Sequence, residues 1–460
     1  MNINISRNNI SNKRITIIGL QKSGYASAIL GNELGATIFV SELNINENII
    51  KNKKKLNRKG IQVEIGTHSN QIYQADIWII SPGVPTNIDI IKKANKLKIS
   101  IISEIEFASY FTKLPIIAVT GSNGKSTTVN ILYSMLNTKD LNPILAGNIG
   151  IPFSEQVLKE IEDPEFGNIY ILEVSSFQLE YIKNFKPAIS VYLNISPDHL
   201  DRHKNMEQYL NAKLELIKNQ NSNDIVVFNA DEKIFKSLFN NYPLKKIPFS
   251  ILNKTSFFHI NKSYIYNQNN ELLISKKNIK LKGDHNLSNL IASATVAKLM
   301  KVKDKKIVNV MENFKSINHR LQEIKKINGV SYINDSKATN IQSVIVAINS
   351  FNNPIILLLG GKNKNSNFRQ LLPHTKRHVK HIVSYGEAGG EIAAAIGDAV
   401  RLDCVNSLKE AVASAQKFAL KGDIILLSPG CASFDQFKNF EERGNKFIKI
   451  VKMYSEKICV

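Results

Sequence analysis

Ile116-Ile-Ala-Val-Thr120-Gly-Ser-Asn-Gly-Lys-Ser-Thr127 reads as a short buried strand, a glycine turn and the opening of a helix. From Thr127 to Leu136 apolar residues recur at helical spacing. Glycines allow backbone to approach phosphate oxygens, and the free N–H groups and dipole of a helix start favour anions. Lys125 would then reach β- and γ-phosphates, and the Ser126 hydroxyl suits Mg²⁺. The general phosphate-loop pattern leaves four residues between its glycines, which would put the first at Val119. Here Gly121 and Gly124 are separated by only two. The stretch is therefore a shortened phosphate loop, with Gly121, Ser122, Asn123, Gly124, Lys125, Ser126 and Thr127 as candidate nucleotide contacts.

Strand, turn and helix alternate on either side of this loop. Ile15–Ile18 runs into Gly19-Leu-Gln-Lys-Ser-Gly24, and a helical stretch from Tyr25 to Leu34 follows. Ile38–Val40, Ile77–Ile80 and Ile99–Ile102 look like further strands of that first sheet. After the loop, Tyr170–Val174, Ile189–Leu193 and Ile225–Phe228 continue the middle series. Ser331–Ile333, Ile355–Leu359, His381–Ser384 and Ile424–Leu427 form a third. This pattern predicts an α/β chain of three domains: a Rossmann-like N-terminal domain (1–113), a central P-loop ATPase-type domain (114–317) and a Rossmann-like C-terminal domain (318–460).

Composition agrees with that expectation. Of 460 residues, 43% are hydrophobic and 22% charged, which leaves ample material for real cores. No apolar run approaches the ~18 residues that span a bilayer, and the first residues lack a signal-peptide core, so membrane insertion is not expected and a cytoplasmic enzyme is. Cys404, Cys431 and Cys459 are far apart and form neither a disulfide framework nor a zinc pattern. The formal net charge of +21 raises the question of a nucleic-acid partner. The lysine tract at 51–59 carries no interleaved aromatics, and lysine is abundant throughout, so no nucleic acid is expected. The excess charge would still attract small anions.

A phosphate loop alone means only a nucleotide; chemistry requires further groups. Glu173 follows a strand, as a Mg²⁺-binding carboxylate beside a phosphate loop would. Asn194-Ile-Ser-Pro-Asp-His-Leu-Asp-Arg-His203 also follows a strand, and Lys213 comes fourteen residues beyond His199 on an expected helix. In the first series, Gly19, Ser23 and Gly24 suit a diphosphate at a strand–helix turn. Gln21 breaks the G-x-G-x-x-G spacing that a nicotinamide dinucleotide would require.

Together these residues resemble the Mur ligases, ATP-dependent amide-bond ligases that build the peptidoglycan peptide. The shortened loop is the form that family uses. Gly147-Asn-Ile-Gly150, Glu173-Val-Ser-Ser-Phe-Gln-Leu-Glu180, His285-Asn-Leu-Ser-Asn289, His319-Arg320, Asn334-Asp-Ser-Lys-Ala-Thr-Asn340 and Cys431-Ala-Ser-Phe-Asp-Gln-Phe-Lys-Asn-Phe440 follow in the family's order along the whole chain. The segments look most like those of the member that joins D-glutamate to UDP-N-acetylmuramoyl-L-alanine.

The resemblance implies that ATP activates the alanyl carboxyl as an acyl phosphate, which the amine of D-glutamate then attacks. It implies two Mg²⁺ sites, with Ser126, Glu173, His199 and a carbamylated Lys213 as ligands. Lys125, Glu173, His199 and Lys213 would be the catalytic set. Asn286, Asn289, Arg320 and Asp335 would join the loop in holding ATP. Gly19, Ser23, Gly24, Glu42, Ser81, Asn148 and Ser175 would hold the UDP-sugar, making residues 1–113 its domain. Lys337, Thr339, Lys364, Ser433, Phe434 and Phe440 would hold D-glutamate on a C-terminal domain that closes over ATP. The implied assembly is a monomer acting on small molecules. Three residues depart from the family: Gln21 where glycine is usual, Glu42 for aspartate and Phe434 for leucine. A folylpolyglutamate-synthase-like ligase would share the ATP domain but lack the strand-rich first 110 residues. A nucleic-acid-dependent ATPase would account for the charge but not for the ordered segments.

Overall fold

A computed structural model describes residues 5–148, 150–281, 283–363 and 366–458. The first sheet is parallel and comprises Arg14–Ile18, Thr37–Glu42, Gln62–Ile65, Ile77–Ile80 and Ser100–Ser103, in spatial order third-second-first-fourth-fifth. Order reverses beside the first strand, the position at which open α/β sheets place their ligand crevice, and Gly19 follows that strand. The strand Ile77–Ile80 is buried along its whole length, as expected of a parallel strand covered on both faces.

The second sheet is also parallel and holds Ile116–Thr120, Pro143–Gly147, Ile169–Glu173, Ile189–Tyr192, Ile225–Asn229 and Lys245–Phe249, in order sixth-fifth-fourth-first-third-second. The loop strand therefore lies centrally, paired with Ile169–Glu173 on one side and Ile189–Tyr192 on the other. Val119 faces Glu173 and Thr120 faces Tyr192 in register. That register brings the phosphate loop, Glu173 and the segment after Tyr192 to one end of the sheet. A small antiparallel sheet, Phe258–Ile260, Tyr264–Asn267 and Leu272–Ser275, follows.

The last sheet contains Gln322–Ile327, Val330–Asn334, Ile355–Gly360, Val379–Tyr385, Leu402–Val405 and Ile424–Gly430, in order first-second-sixth-third-fourth-fifth. Its first two strands form an antiparallel hairpin and the rest are parallel. Ile355–Gly360 is buried on both faces.

The chain packs as two compact units. One comprises 1–195, 202–278 and 288–310, so it contains the first two sheets; the other comprises 196–201, 279–287 and 311–460. Within the first unit, the helix Glu104–Ser109 presents two buried glutamates to backbone donors of the second sheet's layer. Glu104 Oε1 accepts from Ser154 N at 2.6 Å, while Glu106 accepts from Asn184 N at 2.7 Å and Phe185 N at 2.8 Å. Burial pushes the Glu104 carboxyl up to about 7, against the Ser154 hydrogen bond. Among the described residues no helix is long and apolar enough to cross a membrane.

Candidate active site

The phosphate loop owes its shape to glycine. Gly124, at φ +85°, precedes the helix Lys125–Leu136. A Cβ there would stand 2.4 Å from Asn289 Oδ1, so a side chain meets both backbone strain and a buried amide. Asn194 brackets the loop: its backbone carbonyl accepts from Ser122 N at 3.1 Å, and its Oδ1 accepts from Asn123 N at 2.9 Å. Ser122 Oγ lies 3.2 Å from the Tyr209 hydroxyl. Ser126 and Thr127 are buried in the first helical turn.

Two lysines converge on this loop. Lys125 Nζ donates to Gly121 O at 2.7 Å and Ser122 O at 2.9 Å. Lys213, on the helix Met206–Leu214, is 2% exposed; its Nζ donates to Gly121 O at 3.1 Å and stands 4.5 Å over the Tyr209 ring.

Glu173 ends its strand 1% exposed. Asn148 Nδ2 donates to its Oε1 at 3.2 Å, and Asn148 N donates to its carbonyl at 2.8 Å. Oε2 is buried with no hydrogen-bond partner among the described residues. A carboxylate oxygen stranded in this way is costly unless a cation takes it up, so the donor set of Glu173 and Ser126 fits a hard divalent ion. Ser175 caps the short helix Ser176–Leu179 through a reciprocal pair with Gln178.

The first sheet builds a second turn. Gly19 has φ +99°, and a Cβ on Gly24 would fall 1.9 Å from Gly19 O, so glycine is required where the helix Lys22–Glu33 meets the turn. Ser81 Oγ lies 3.4 Å from Gly19 O, and Ser23 is in the first turn of that helix. Glu42 braces the turn itself. Its Oε2 accepts from Leu20 N at 2.8 Å, and its Oε1 accepts from Asn44 N at 2.7 Å and Asn44 Nδ2 at 2.9 Å. The longer side chain thus reaches back to the backbone. Gln21 is the helix N-cap but makes no side-chain cap.

In the second unit, Asp335 is buried; its Oδ2 accepts from Ser428 Oγ at 2.9 Å and its Oδ1 from Leu321 N at 3.2 Å. Burial raises its carboxyl to about 7, opposed mainly by the Arg320 guanidinium. Lys337 Nζ stands 5.3 Å over the Phe440 ring. Ser433 is buried, Phe434 is 63% exposed, and Thr339 is exposed. Lys364 lies outside the described residues. His199 has φ +55°, its backbone N–H bonds to Asp198 Oδ1, and Asp198 Oδ2 accepts from Asn340 at 3.1 Å.

Asn286 and Asn289 share the helix Asp284–Leu299 but face different surroundings. Asn289 presses on Gly124 of the loop, whereas Asn286 lines a cavity of about 340 Å³ with Phe314, Leu321, Ile333 and Phe351.

Sequence reasoning overlooked Arg443. It is fully buried, and its guanidinium donates to Ser336 Oγ at 3.0 Å, Ser336 O at 2.8 Å and Cys431 O at 3.1 Å. It thereby ties the 334–340 loop to the 431–440 segment. Its only sequence signal is a position three residues after Phe440, which reads as an exposed helix charge. Tyr209 carries no local signal that it touches the loop, and Asn194 is marked only by its place at the end of a strand.

A glycine turn after the first strand, a shortened phosphate loop with a stranded carboxylate beside it, and a further α/β sheet in the second unit are the features expected of a nucleotide-dependent ligase. Family profiles match in chain order: "MurD N-terminal domain" over 14–90, "Mur ligase middle domain" over 119–297 and "Mur ligase, glutamate ligase domain" over 319–431. A UDP-N-acetylmuramoylalanine–D-glutamate ligase of Geobacillus sp. (strain WCH70) is 39% identical over 448 residues, covering 95% of this chain and 97% of its own. Its counterpart in Christiangramia forsetii is 37% identical, covering 96% and 99%. The fold is shared with UDP-N-acetylmuramate–alanine ligase of Thermotoga maritima (TM-score 0.62, 16% identity, 96% and 100% covered). It is also shared with the MurF ligase of that organism in complex with ADP (TM-score 0.62, 15% identity, 97% and 99% covered). The chain belongs to the Mur ligase family, a family of ATP-dependent amide-bond ligases.

Proposed function

We propose that this chain joins D-glutamate to the alanyl carboxyl of UDP-N-acetylmuramoyl-L-alanine, with ATP cleaved to ADP and phosphate, in peptidoglycan precursor synthesis. A carboxylate is a poor electrophile because its charge is delocalised over two oxygens. Its attack on the γ-phosphorus expels ADP and leaves an acyl phosphate. The neutral amine of glutamate then attacks the carbonyl carbon, and the C–O bond breaks with its electron pair leaving on phosphate.

The protein's part is positioning and neutralisation of charge. Lys125 leaves the Gly121 and Ser122 carbonyls for the transferring phosphoryl group. Ser126, Glu173 and Lys213 as a carbamate would hold Mg²⁺, and His199 would serve a second Mg²⁺ site; a bound ion would screen phosphate charge from the incoming carboxylate. Carbamylation turns a cation into an oxygen anion, the charge a Mg²⁺ ligand needs. The first-sheet turn at Gly19, Ser23, Gly24 and Ser81 takes the diphosphate, with Asn148 and Ser175 toward the sugar. Glu42 shapes that turn. Asn286, in a cavity with Phe314 and Phe351, would receive adenine; Asn289, Arg320 and Asp335 are the further residues assigned to ATP. Lys337, Thr339, Lys364, Ser433, Phe434 and Phe440 receive the amino acid, whose two carboxylates call for cations and hydroxyls.

The observation that carries this reading is the meeting of Lys125, Lys213 and the phosphate loop beside the stranded Glu173 Oε2. The test is phosphate release with ATP and every pairing of sugar nucleotide and amino acid. Release is expected only when UDP-N-acetylmuramoyl-L-alanine and D-glutamate are both present. Release driven by DNA or RNA alone would refute the reading.

A further inference from the structure

One side chain, Arg202, spans the first two sheets of the first unit. Its Nε donates to Glu180 Oε1 at 3.1 Å, and its Nη2 donates to Glu180 Oε2 at 2.5 Å. Its Nη1 donates to Pro82 O at 2.8 Å, and its Cζ stacks 4.5 Å over the Phe177 ring. Arg202 and Glu180 side chains are each 14% exposed, so the pair is shielded from solvent. The neighbouring His203 strengthens the anchor, with Nε2 2.9 Å from Ser176 Oγ.

The two ends of this bridge are not arbitrary places. Phe177 and Glu180 belong to the short helical turn that begins three residues after Glu173. Pro82 follows Ser81, whose hydroxyl touches the Gly19 turn. A planar guanidinium with fixed donors thus links the turn assigned to the diphosphate with the turn behind the metal-binding carboxylate. A lysine would satisfy Glu180 but could not hold both partners with one rigid fork.

We propose that Arg202 is a positioning residue that fixes the sugar-nucleotide turn relative to the phosphoryl-transfer site, so that the substrate carboxyl meets the γ-phosphate in line. The inference rests on the function proposed above and adds to it a residue outside the ligand-contacting set. Reacting atoms must meet within a few tenths of an ångström, and a misplacement of about 1 Å costs on the order of 10²-fold in rate. A residue that merely stabilises the fold would lower the melting temperature and leave the turnover of folded enzyme intact.

The test compares Arg202→Lys and Arg202→Met with wild type by steady-state kinetics, by calorimetric titration with UDP and with a non-hydrolysable ATP analogue, and by thermal melting. The expected result for Arg202→Lys is a kcat lowered by about 10- to 100-fold. Affinities for UDP and the ATP analogue should stay within threefold, and melting within a few degrees. Arg202→Met should lower kcat at least as far. Wild-type kcat in either folded variant would overturn the proposal, as would loss confined to folding or an equal loss of affinity for every ligand. Were wild type itself to show no phosphate release dependent on the sugar nucleotide, the functional reading would fail before Arg202 was tested.

Discussion

Lys213 donates its Nζ to the carbonyl oxygen of Gly121 at 3.1 Å, across ninety-two residues of sequence. Lys125 donates to the same oxygen at 2.7 Å. Two lysines thus meet at one carbonyl of the phosphate loop, and the one on the helix Met206–Leu214 is buried.

Lys213→Ala should therefore reduce turnover by two orders of magnitude or more while the fold persists. Short carboxylates such as acetate or formate should restore part of the activity by supplying the missing anionic oxygen. Phosphate release against carboxylate concentration measures this. Full activity without rescue would show that the carbamate is dispensable.

Glu173→Gln removes the anionic charge at the stranded Oε2 but keeps the acceptor for Asn148. It should raise the Mg²⁺ concentration needed for half-maximal turnover by at least tenfold, with melting temperature unchanged or higher, because a buried charge is gone. An unshifted Mg²⁺ titration would remove Glu173 from the metal site.

Glu104 makes a pH prediction of definite sign. Burial lifts its folded-state carboxyl to about 7, above its ordinary value of 4.5. The folded state then binds its proton more tightly than the unfolded chain does. Its favourable contribution is complete below about pH 4.5 and fades as pH rises through about 7, by up to about 3 kcal/mol. Glu104→Gln should flatten the wild-type loss of stability between pH 5 and 8, read by denaturant unfolding at each pH. Parallel curves for the two proteins would contradict the assignment.

Arg443→Ala strips partners from Ser336 Oγ, Ser336 O and Cys431 O, all in the buried interior of the last domain. A loss of about 2–4 kcal/mol in unfolding free energy is expected, with a raised KM for the amino acid, since the 431–440 segment loses its tie. Arg443→Lys should recover only part of the stability. Denaturant midpoints and amino-acid titrations check both.

The three larger sheets, the phosphate loop and the glycine turn are legible because their signals are local; the small antiparallel sheet at 258–275 is not. A strand buried on both faces must be continuously apolar, as Ile77–Ile80 and Ile355–Gly360 are. Strands with one exposed side or at an edge carry no such signal: Gln62–Ile65, Gln322–Ile327 and Leu402–Val405 contain polar residues. Their membership depends on neighbours supplying hydrogen bonds, which sequence periodicity does not report.

The amino-acid sequence alone determined the α/β architecture and the shortened glycine loop between strand and helix. Those follow from apolar runs, glycines that tolerate close approach, and a lysine at a helix start. Only the tertiary structure decided that Lys213 reaches Gly121, that Glu42 braces the Gly19 turn, and that Arg443 and Arg202 tie together segments far apart in the chain. Each of those contacts joins residues remote along the chain, and a charged side chain reads as solvated until packing removes its water.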